Sequence, residues 1–432
     1  AVGAYSLWKN TVNHNTGVGS YSLHYNETGE SNTALGSNSM VLNTSGGYNN
    51  AIGSYALRSN TSGSNNVANG YFALNANTTG NDNIGVGTSA LQSNTTGNSN
   101  TAIGLAALKN STSSNHTAVG YAALEANTTG ENNVALGKHA LWKNTTGSYN
   151  VGVGNQALYE NLTGKYNVGV GLQALLNNTT GDYVTAVGAK ALQANTTGTG
   201  NTAVGTNSLE SNTTGASNTV SGWNSMPSNT TGSSNVAIGV NTMFNNTIGD
   251  QNTALGSSAL YSNTTGTANA AFGYTSLYSN TEGTHNTASG VVALRNNTTG
   301  SSNTAIGNGS LYSNTTGTHN TANGVYSARS NTTGIQNTAI GNKALYENTT
   351  GVRNTALGTK SGNKNTSGDN NVFIGYNAGN NDNYQTASNK LVVANSDTET
   401  PLIEGDFSAK TLKVNGSIEA NSVITKVGEA QQ

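Results

Sequence analysis

A phrase of the form Asn-Thr-Ala-Ile-Gly recurs at a nearly fixed interval of 17 residues, and this period constrains the fold more than any other feature of the chain. If the glycine that ends each phrase is numbered position 0, it occurs 23 times between Gly3 and Gly375. Of the 22 intervals, 20 are 17 residues long and two are 16. Such a period is typical of solenoids, in which each repeat forms one coil, or rung, and stacks on the next.

The positions within the repeat have distinct residue preferences. Position −1 is usually Ile, Val or Leu, position −3 is Thr or Val, and position −2 is mostly Ala. Position +4 is Leu or Met in nearly every repeat, with exceptions at Ala328 and Gly362, and positions +7 to +10 usually read Asn-Thr-Thr-Gly. Because Gly and Asn favour corners and turns, each repeat is predicted to contain a short strand from −4 to −1, a glycine corner, a second segment that is a strand or irregular, and a turn.

A single repeat cannot fold alone. We expect each repeat to bury one Leu and one Ile or Val, which contributes about 1.5–3 kcal/mol per side chain. Ordering the backbone costs more, at about 1–2 kcal/mol per residue. Stacked repeats gain hydrogen bonds between rungs, aliphatic columns and ladders of Asn side chains, so each rung is stabilised by its neighbours. The sequence therefore predicts an all-β fold, a parallel β-solenoid or β-roll of about 23 rungs over residues 1–379.

The period ends after Gly375, and the composition changes. A polar break is followed by the segments KLVVANS, PLIEGDFS and KTLKVNGSI, which alternate like strands. We predict a small β-module over residues 380–432 that caps the solenoid and helps to join chains through residues 388–420. Glu429 to Gln432 are expected to be a loose end, and the start of the chain within a repeat indicates a processed or truncated N-terminus.

Charge and composition argue against several functional classes. Charged residues make up 8% of the chain, against about 25% in typical globular proteins, and the formal net charge is −2. A nucleic-acid surface needs clustered Lys and Arg, but the 17 basic residues are spread thinly, so we expect no nucleic-acid partner. No segment approaches the 18 apolar residues of a membrane span, so we expect no membrane insertion. The chain has no Cys, which excludes thiol catalysis.

Motifs for catalysis or cofactor binding are weak. Residues 85–90, 152–157 and 169–174 match G-x-G-x-x-A, but a dinucleotide site also needs a β-α-β context. The six His residues fall at different repeat positions or in distant repeats, so we expect solvated loop side chains rather than a metal site. No Ser-His-Asp set or pair of carboxylates stands out. We therefore expect no cofactor, no metal and no enzymatic activity.

The Asn-Thr-Thr sequence of each repeat also spells an N-glycosylation sequon. Glycans on almost every rung would be the consequence in a eukaryotic secreted protein. We favour the alternative interpretation that turn chemistry produces the same letters by coincidence.

Position +5 is the most informative column for function. It contains eight large aromatic residues, but also Arg, Lys and Glu, so it does not belong to the core. It is interpreted either as a half-exposed edge or subunit seam where aromatics cover the neighbouring Leu, or as a binding stripe, since aromatic rings stack on sugars and anchor interfaces. The residues concerned are Trp8, Trp142, Tyr159, Phe244, Tyr261, Tyr278, Tyr312 and Tyr346.

The phrase NTAIG-x-x-AL resembles the head repeats of YadA-like trimeric adhesins, which form a left-handed parallel β-roll. The 17-residue form, followed by SNKLVVANSDTETPLIEGDF at residues 388–407, is more similar to tail-fibre-like proteins of phages and Bacteroidetes-type bacteria. Many of those proteins carry a C-terminal self-cleaving chaperone of the endosialidase type, and no such domain lies before Gln432. The resemblance implies a homotrimeric extracellular fibre that attaches to surfaces.

The function expected from these observations is a structural or adhesive fibre, on a virion or a bacterial cell surface, that grips a host, prey or other surface. Its partners would be further copies of itself in a parallel oligomer, with three copies favoured, and a glycan or protein receptor. Two alternatives remain open. One is an ice-binding solenoid with Thr columns at +8 and +9, and the other is a polysaccharide-degrading fibre with a site between subunits.

Overall fold

The structure, a computed structural model, describes residues 1–417. It confirms the predicted fold class, an all-β parallel solenoid of about 22 rungs with antiparallel strands near the C-terminus. Within the described residues, no helix is long and apolar enough to span a membrane. The chain divides into two compact units, formed by residues 1–257 with 263–265, and by residues 258–262 with the chain from 266 onward.

The first unit has one three-residue strand per rung, and Val2 adds an isolated parallel bridge to Val18. Consecutive strands pair in parallel and join equivalent positions of the repeat, as in the pairing of Thr185 with Thr202. The strands are β1 (Thr16–Val18), β2 (Thr33–Leu35), β3 (Asn50–Ile52), β4 (Val67–Asn69), β5 (Ile84–Val86), β6 (Thr101–Ile103), β7 (Thr117–Val119), β8 (Val134–Leu136), β9 (Val151–Val153), β10 (Val168–Val170), β11 (Thr185–Val187), β12 (Thr202–Val204), β13 (Thr219–Ser221), β14 (Val236–Ile238) and β15 (Thr253–Leu255).

The second unit continues the same pattern and then changes it. A short 3-10 helix, Asp382–Tyr384, follows the last regular rung. The strand after it, β23, still pairs in parallel with β22, whereas β23, β24 and β25 pair antiparallel with one another. The strands are β16 (Ala270–Phe272), β17 (Thr287–Ser289), β18 (Thr304–Ile306), β19 (Thr321–Asn323), β20 (Thr338–Ile340), β21 (Thr355–Leu357), β22 (Val372–Ile374), β23 (Lys390–Val393), β24 (Ile403–Asp406) and β25 (Thr411–Val414).

These last three strands confirm the strands predicted within the C-terminal module. The domain boundary at 379/380 and the joining role of residues 388–420 stay predictions. Residues 418–420 and the expected loose end at 429–432 lie outside the described residues.

The second segment of each rung, from +1 to +7, is irregular rather than a strand. Residues at +2 and +4 have left-handed backbone conformations, as at Lys190 with φ 57° and Leu192 with φ 51°. A left-handed conformation is unfavourable for L-residues, but here it is held by neighbouring rungs. The backbone N–H of Lys190 donates to Leu172 at 2.8 Å, and that of Leu192 donates to Ser208 at 3.0 Å.

The glycine corner is confirmed by the backbone. Gly188 has φ +135°, and a Cβ atom added there would lie 2.5 Å from the carbonyl oxygen of Gly205 in the next rung. Any larger residue would therefore both strain the backbone and push adjacent rungs apart. This close approach explains why position 0 is glycine in every rung.

The core differs from the expected core at one column. Ala305, at position −2, is fully buried, whereas Ile306, at position −1, is 41% exposed. The expectation that Ile or Val at −1 fills the core is therefore wrong. Adjacent strand residues face opposite sides, and in most rungs the inner side has room only for a small residue: at Gly169, an added Cβ would already lie 3.2 Å from Leu158 Cγ. Val220 and Phe373 are the larger residues buried at this position.

Two columns of buried Asn side chains complete the interior and confirm the expected ladders. At position +7, the Asn314 Nδ2 donates to Asn297 Oδ1 at 2.7 Å and to the Gly317 carbonyl at 3.0 Å. At position −4, the Asn303 Nδ2 donates to Asn286 Oδ1 at 3.1 Å and to the same Gly317 carbonyl at 2.8 Å. The amides of Asn314 and Asn303 thus bond both to the rung before them and to a backbone carbonyl, and such bonds allow polar side chains to be buried. The buried Oδ1 atoms of Asn94, Asn348 and Asn365 have no hydrogen-bond partner within the described residues.

The last regular rungs replace the aliphatic column with an aromatic side chain. Phe373, at position −2, is fully buried and lies where Leu would otherwise be. A Cβ added to Gly362 would lie 2.5 Å from the Phe373 ring, and one added to Gly379 would lie closer still. Tyr384 packs edge-on against this ring at 5.9 Å and donates its hydroxyl to Glu404 at 3.0 Å. The exception at Gly362 is thus explained by the Phe ring that occupies its space.

Candidate functional site

The outward side of the strands forms the first candidate surface, which we call the strand face. It consists of the side chains at positions −3 and −1. Position −1 is Ile, Val, Leu or Phe in 19 of 23 repeats, and neither position carries a charged residue in any rung. At position −1, the most exposed apolar side chains within β2–β22 have 37% to 48% of their surface free, and they are Leu35, Ile103, Leu136, Val187, Val204, Ile238, Phe272, Ile306, Ile340, Leu357 and Ile374.

Position +1 extends this apolar band across the glycine corner. It contains exposed Leu105, Leu172, Trp223 and Tyr274, and its one charged residue is Lys138. Large contiguous apolar patches are uncommon on monomeric soluble proteins and usually mark interaction sites. The strand face and its +1 border are therefore the surface of each unit that most needs a partner. The absence of charged residues at −3 and −1 was visible in the sequence and could have indicated this surface. The −1 column was instead assigned to the core.

The second candidate surface is the predicted +5 column, which we call the +5 stripe. The rings of Trp142 and Tyr159 lie 5.0 Å apart, and those of Tyr261 and Tyr278 stack at the same distance with their planes 10° apart. Trp8 is 65% exposed and contacts Tyr5 edge-on, at 5.5 Å. The other members, Phe244, Tyr312 and Tyr346 included, are half-buried.

Stacking between rungs changes what the aromatic residues can bind. A ring that stacks on the ring of the next rung has its faces covered, so only its edge and its polar atoms point outward. The ring faces of Tyr261 and Tyr278 are thus less available for sugars than a sequence view of separate aromatic side chains suggests. Both interpretations of the stripe, as a binding surface and as a subunit seam, stay predictions.

Two arginines in the second unit belong to the same stack. The Arg295 guanidinium lies over the Tyr278 ring at 5.3 Å and the Tyr312 ring at 6.0 Å. Arg329 lies over Tyr312 at 5.0 Å and over Tyr346 at 5.9 Å. From the sequence, the two arginines indicated only that position +5 does not belong to the core. The sequence analysis did not predict that they lie between the tyrosine rings.

Some charges near the stripe in the first unit are paired with acidic side chains or polar groups, whereas Arg58 and Lys109 at +5 form no ion pair with the described residues. Lys143 Nζ lies 2.7 Å from Glu160 Oε1, and the hydrogen bond to this carboxylate raises the pKa of Lys143. Lys190 Nζ lies 3.7 Å from Glu210, and Trp142 Nε1 donates to Glu125 at 2.8 Å. The two units therefore present different electrostatic surfaces at the same repeat positions.

One 16-residue rung contains a buried titratable group. His116, only 1% exposed, replaces the Asn at position −4. Its Nδ1 accepts the backbone N–H of Asn133 at 3.2 Å, and its Nε2 lies 2.9 Å from Ser113 Oγ, which donates to Gly130 at 2.6 Å. Burial lowers the pKa of His116 to about 4. The expectation that all six His are solvated is wrong here, because this ring substitutes for a ladder amide.

The sequon Asn and the Thr columns also have structural roles. The sequon Asn at +7 is buried in nearly every rung, and the amide of Asn314 is bonded to the rungs on both sides, so this column offers no free Asn side chain for a glycan. Thr315, at +8, donates its hydroxyl to the Thr332 carbonyl of the next rung at 3.1 Å.

In residues 1–417, no group of three or more His, Asp or Glu side chains is placed to hold a metal ion.

Comparison with known proteins adds no assignment, since no protein-family model, curated protein or solved structure matches the chain.

Proposed function

We propose that the protein is a structural and adhesive fibre built from parallel copies of the chain, located outside the cell on a virion or a bacterial surface. The observation that carries this proposal is the strand face. Rows of exposed Ile, Val and Leu without a single charge would be covered if the same face of another copy packed against it. Extracellular location, attachment to a surface and the preference for three copies follow the resemblance to fibre and adhesin repeats.

The parallel arrangement follows from the repeat itself. Identical faces associate most simply in closed cyclic symmetry, where each copy contributes the same patch. Parallel copies also place equivalent rungs side by side along their whole length. Ala305 and its equivalents at −2 lie inside the rung and cannot contact a neighbouring copy. The exposed aliphatic side chains at −1 would therefore form that contact.

Light scattering of the full chain tests the assembly. We expect a mass that is a multiple of 43.8 kDa, with three copies favoured. The double variant Ile306→Lys and Ile340→Lys places charges on the strand face and should lower this mass. The matched control is Thr316→Lys with Thr350→Lys, exposed residues of the same rungs at position +9, which should leave the mass unchanged.

A monomeric full-length protein at micromolar concentration would contradict the assembly. Ice binding is the second candidate for that outcome, and one observation favours it. The Thr columns at +8 and +9 do not lie on strands, but Thr304, Thr321 and Thr338 at −3 do, and their strands pair in register on an uncharged face. A monomer that also shows thermal hysteresis would replace the fibre with an ice-binding solenoid.

A further inference from the structure

Six successive rungs of the second unit form one stack along the +5 stripe, and this segment carries unpaired positive charge. Tyr261, Tyr278, Arg295, Tyr312, Arg329 and Tyr346 occupy the same position at intervals of 17 residues. The aromatic rings lie between and around the two guanidinium groups at 5.0 to 6.0 Å. We call this segment the Tyr-Arg stack.

The stacked guanidinium groups have a fixed orientation. Tyrosine rings cover their faces, so the in-plane N–H donors remain at the edges of the stack. Arg295 and Arg329 each have a tyrosine hydroxyl 3.5 Å from Nη1, a long contact that leaves most donors unused. Neither has a carboxylate partner among residues 1–417. Both groups therefore keep donors that are oriented and free for an anion.

The charges around the stack are mostly positive. Between residues 258 and 347 the basic residues are Arg295, Arg329 and Lys343, and the acidic residues are Glu282 at position +9 and Glu347 at position +6, next to Tyr346. Lys343 Nζ lies 5.6 Å from the Tyr346 ring centroid and so belongs to the same surface. At position +6, directly beside the stack, hydroxyl side chains such as Ser313 and Ser330 can bind further polar groups.

The spacing of the two arginines selects the ligand. They are two rungs apart, which corresponds to about 10 Å along the solenoid axis at the usual separation of paired strands. One sugar ring of an extended glycan is about as long as one rung is tall. A glycan with an acidic group on every second sugar would thus place successive anions opposite Arg295 and Arg329. Nucleic acid has a phosphate on every nucleotide and favours a denser cluster of cations.

We propose that the Tyr-Arg stack binds an acidic polysaccharide lying along the solenoid axis, with carboxylate or sulfate groups on alternate sugars held by Arg295 and Arg329. This inference rests on the proposed adhesive function and names the chemical class of its receptor. Each arginine binds an anion through two parallel N–H donors. Parallel copies present one stack each, and simultaneous binding to several stacks raises the apparent affinity beyond that of a single site.

Binding of hyaluronan fragments, which carry one carboxylate on every second sugar, tests the inference in the full chain. We expect the double variant Arg295→Ser with Arg329→Ser to bind at least about tenfold more weakly, since two charge-assisted bidentate contacts are lost. The matched control is Arg58→Ser with Lys109→Ser, which removes two positive charges from the same repeat position in the first unit and should leave binding within about twofold. Circular dichroism checks that each variant folds.

Further probes separate the possible sources of binding. Chondroitin sulfate tests whether sulfate serves as well as carboxylate, and neutral dextran should not bind. Equal binding by the Arg295/Arg329 variant and the wild type would overturn the inference, and so would equal binding of dextran or of a single-stranded oligonucleotide. Light scattering on the same samples keeps the two proposals distinct. An oligomer that binds no acidic glycan contradicts only this inference, whereas a monomer that binds hyaluronan contradicts only the fibre.

Discussion

The interior columns and the strand face reverse the usual distribution of side chains. Inside, Asn303 and Asn314 are fully buried, and outside, on the strand that begins one residue after Asn303, Ile306 is 41% exposed. Buried Asn is tolerated because its Nδ2 finds acceptors in its own rung and in the rung before it, as at Asn303 and Asn314. Exposed Ile persists because in most rungs the inner side of the strand has room only for Ala or Gly. Space and hydrogen bonding, rather than hydrophobicity alone, therefore decide which side chains lie inside a rung.

The comparison also separates two kinds of stability. The interior columns hold successive rungs of one chain together, and each contact repeats along the unit. The strand face contributes little to a single chain, and in the proposed assembly its apolar side chains would gain stability by being covered by a second copy. Substitutions in one rung can therefore distinguish cohesion within the chain from cohesion between copies.

The largest effect is expected when a charge is placed in the interior. Leu192→Asp puts a carboxylate in a fully buried aliphatic column and should lower the free energy of unfolding by more than about 4 kcal/mol. Hydrogen exchange should increase most near residue 192 and fade over neighbouring rungs, because each rung contacts mainly its neighbours.

Val187→Asp is the matched control, since Val187 belongs to the same rung but lies on the strand face, 37% exposed. It should leave protection within the chain nearly unchanged and reduce the oligomer mass instead. Uniform loss of protection along the whole chain in Leu192→Asp would contradict the stacking of locally stabilised rungs.

A smaller effect is expected from the loss of one ladder amide. Asn195→Ala removes the acceptor of Asn212 Nδ2 and the donor to Asn178 Oδ1, each at 2.8 Å, as well as the bond to the Gly198 carbonyl. Buried groups without a partner cost about 1–3 kcal/mol each, so the variant should lose about 3 kcal/mol of unfolding free energy. Chemical denaturation measures this loss.

Thr197→Ala, an exposed position of the same turn, serves as the control for the ladder variant and should change stability by less than about 0.5 kcal/mol. Equal effects of the two substitutions would show that the buried amides do not hold the rungs together.

The smallest effect concerns His116 and depends on pH. Burial lowers the pKa of this ring to about 4 in the folded chain, whereas the usual pKa of His in an unfolded chain is 6.5. As the pH falls below 6.5, the unfolded state binds a proton that the folded state does not, so the folded state loses stability. At one pKa unit per 1.36 kcal/mol, the loss should reach roughly 2 kcal/mol at pH 5.

The variant His116→Asn should reduce this loss while changing stability little at pH 7.5, where both states are neutral. His319→Asn, at an exposed position, is the control and should retain the acid sensitivity of the wild type. Denaturation midpoints at pH 7.5 and pH 5 decide the comparison. An unchanged pH dependence in His116→Asn would mean that other groups destabilise the chain in acid.

The sequence predicted the solenoid because its period requires stacking, whatever the details of each rung. It also predicted the corner glycine, the Asn ladders and the strands near the C-terminus. It did not predict which side of the strand faces inward. In a Thr-Ala-Ile strand, the alternation of side chains is equally compatible with Ala inside or with Thr and Ile inside. The choice depends on the space opposite Leu at +4, and that space is set by left-handed residues such as Leu192, which have no sequence signature.

The candidate surfaces could be predicted only in part. Position +5 was identified as a stripe outside the core because it accepts both aromatic and charged residues. The stacking of Arg295 between Tyr278 and Tyr312 depends on the in-register alignment of successive rungs, which the sequence alone does not specify. His116 was assigned to a loop because its substitution for Asn is visible only when the buried column is known.

Near-identity of the rungs has a consequence for how copies align. Two chains offset by one whole rung would still match almost every surface, so the free-energy difference between correct and shifted alignments depends on the few rungs that differ. The 16-residue rung with His116 and the Phe373 side chain opposite Gly362 are such differences. In the proposed assembly, these irregular rungs would be the ones that distinguish the correct alignment of two copies from an alignment shifted by one rung.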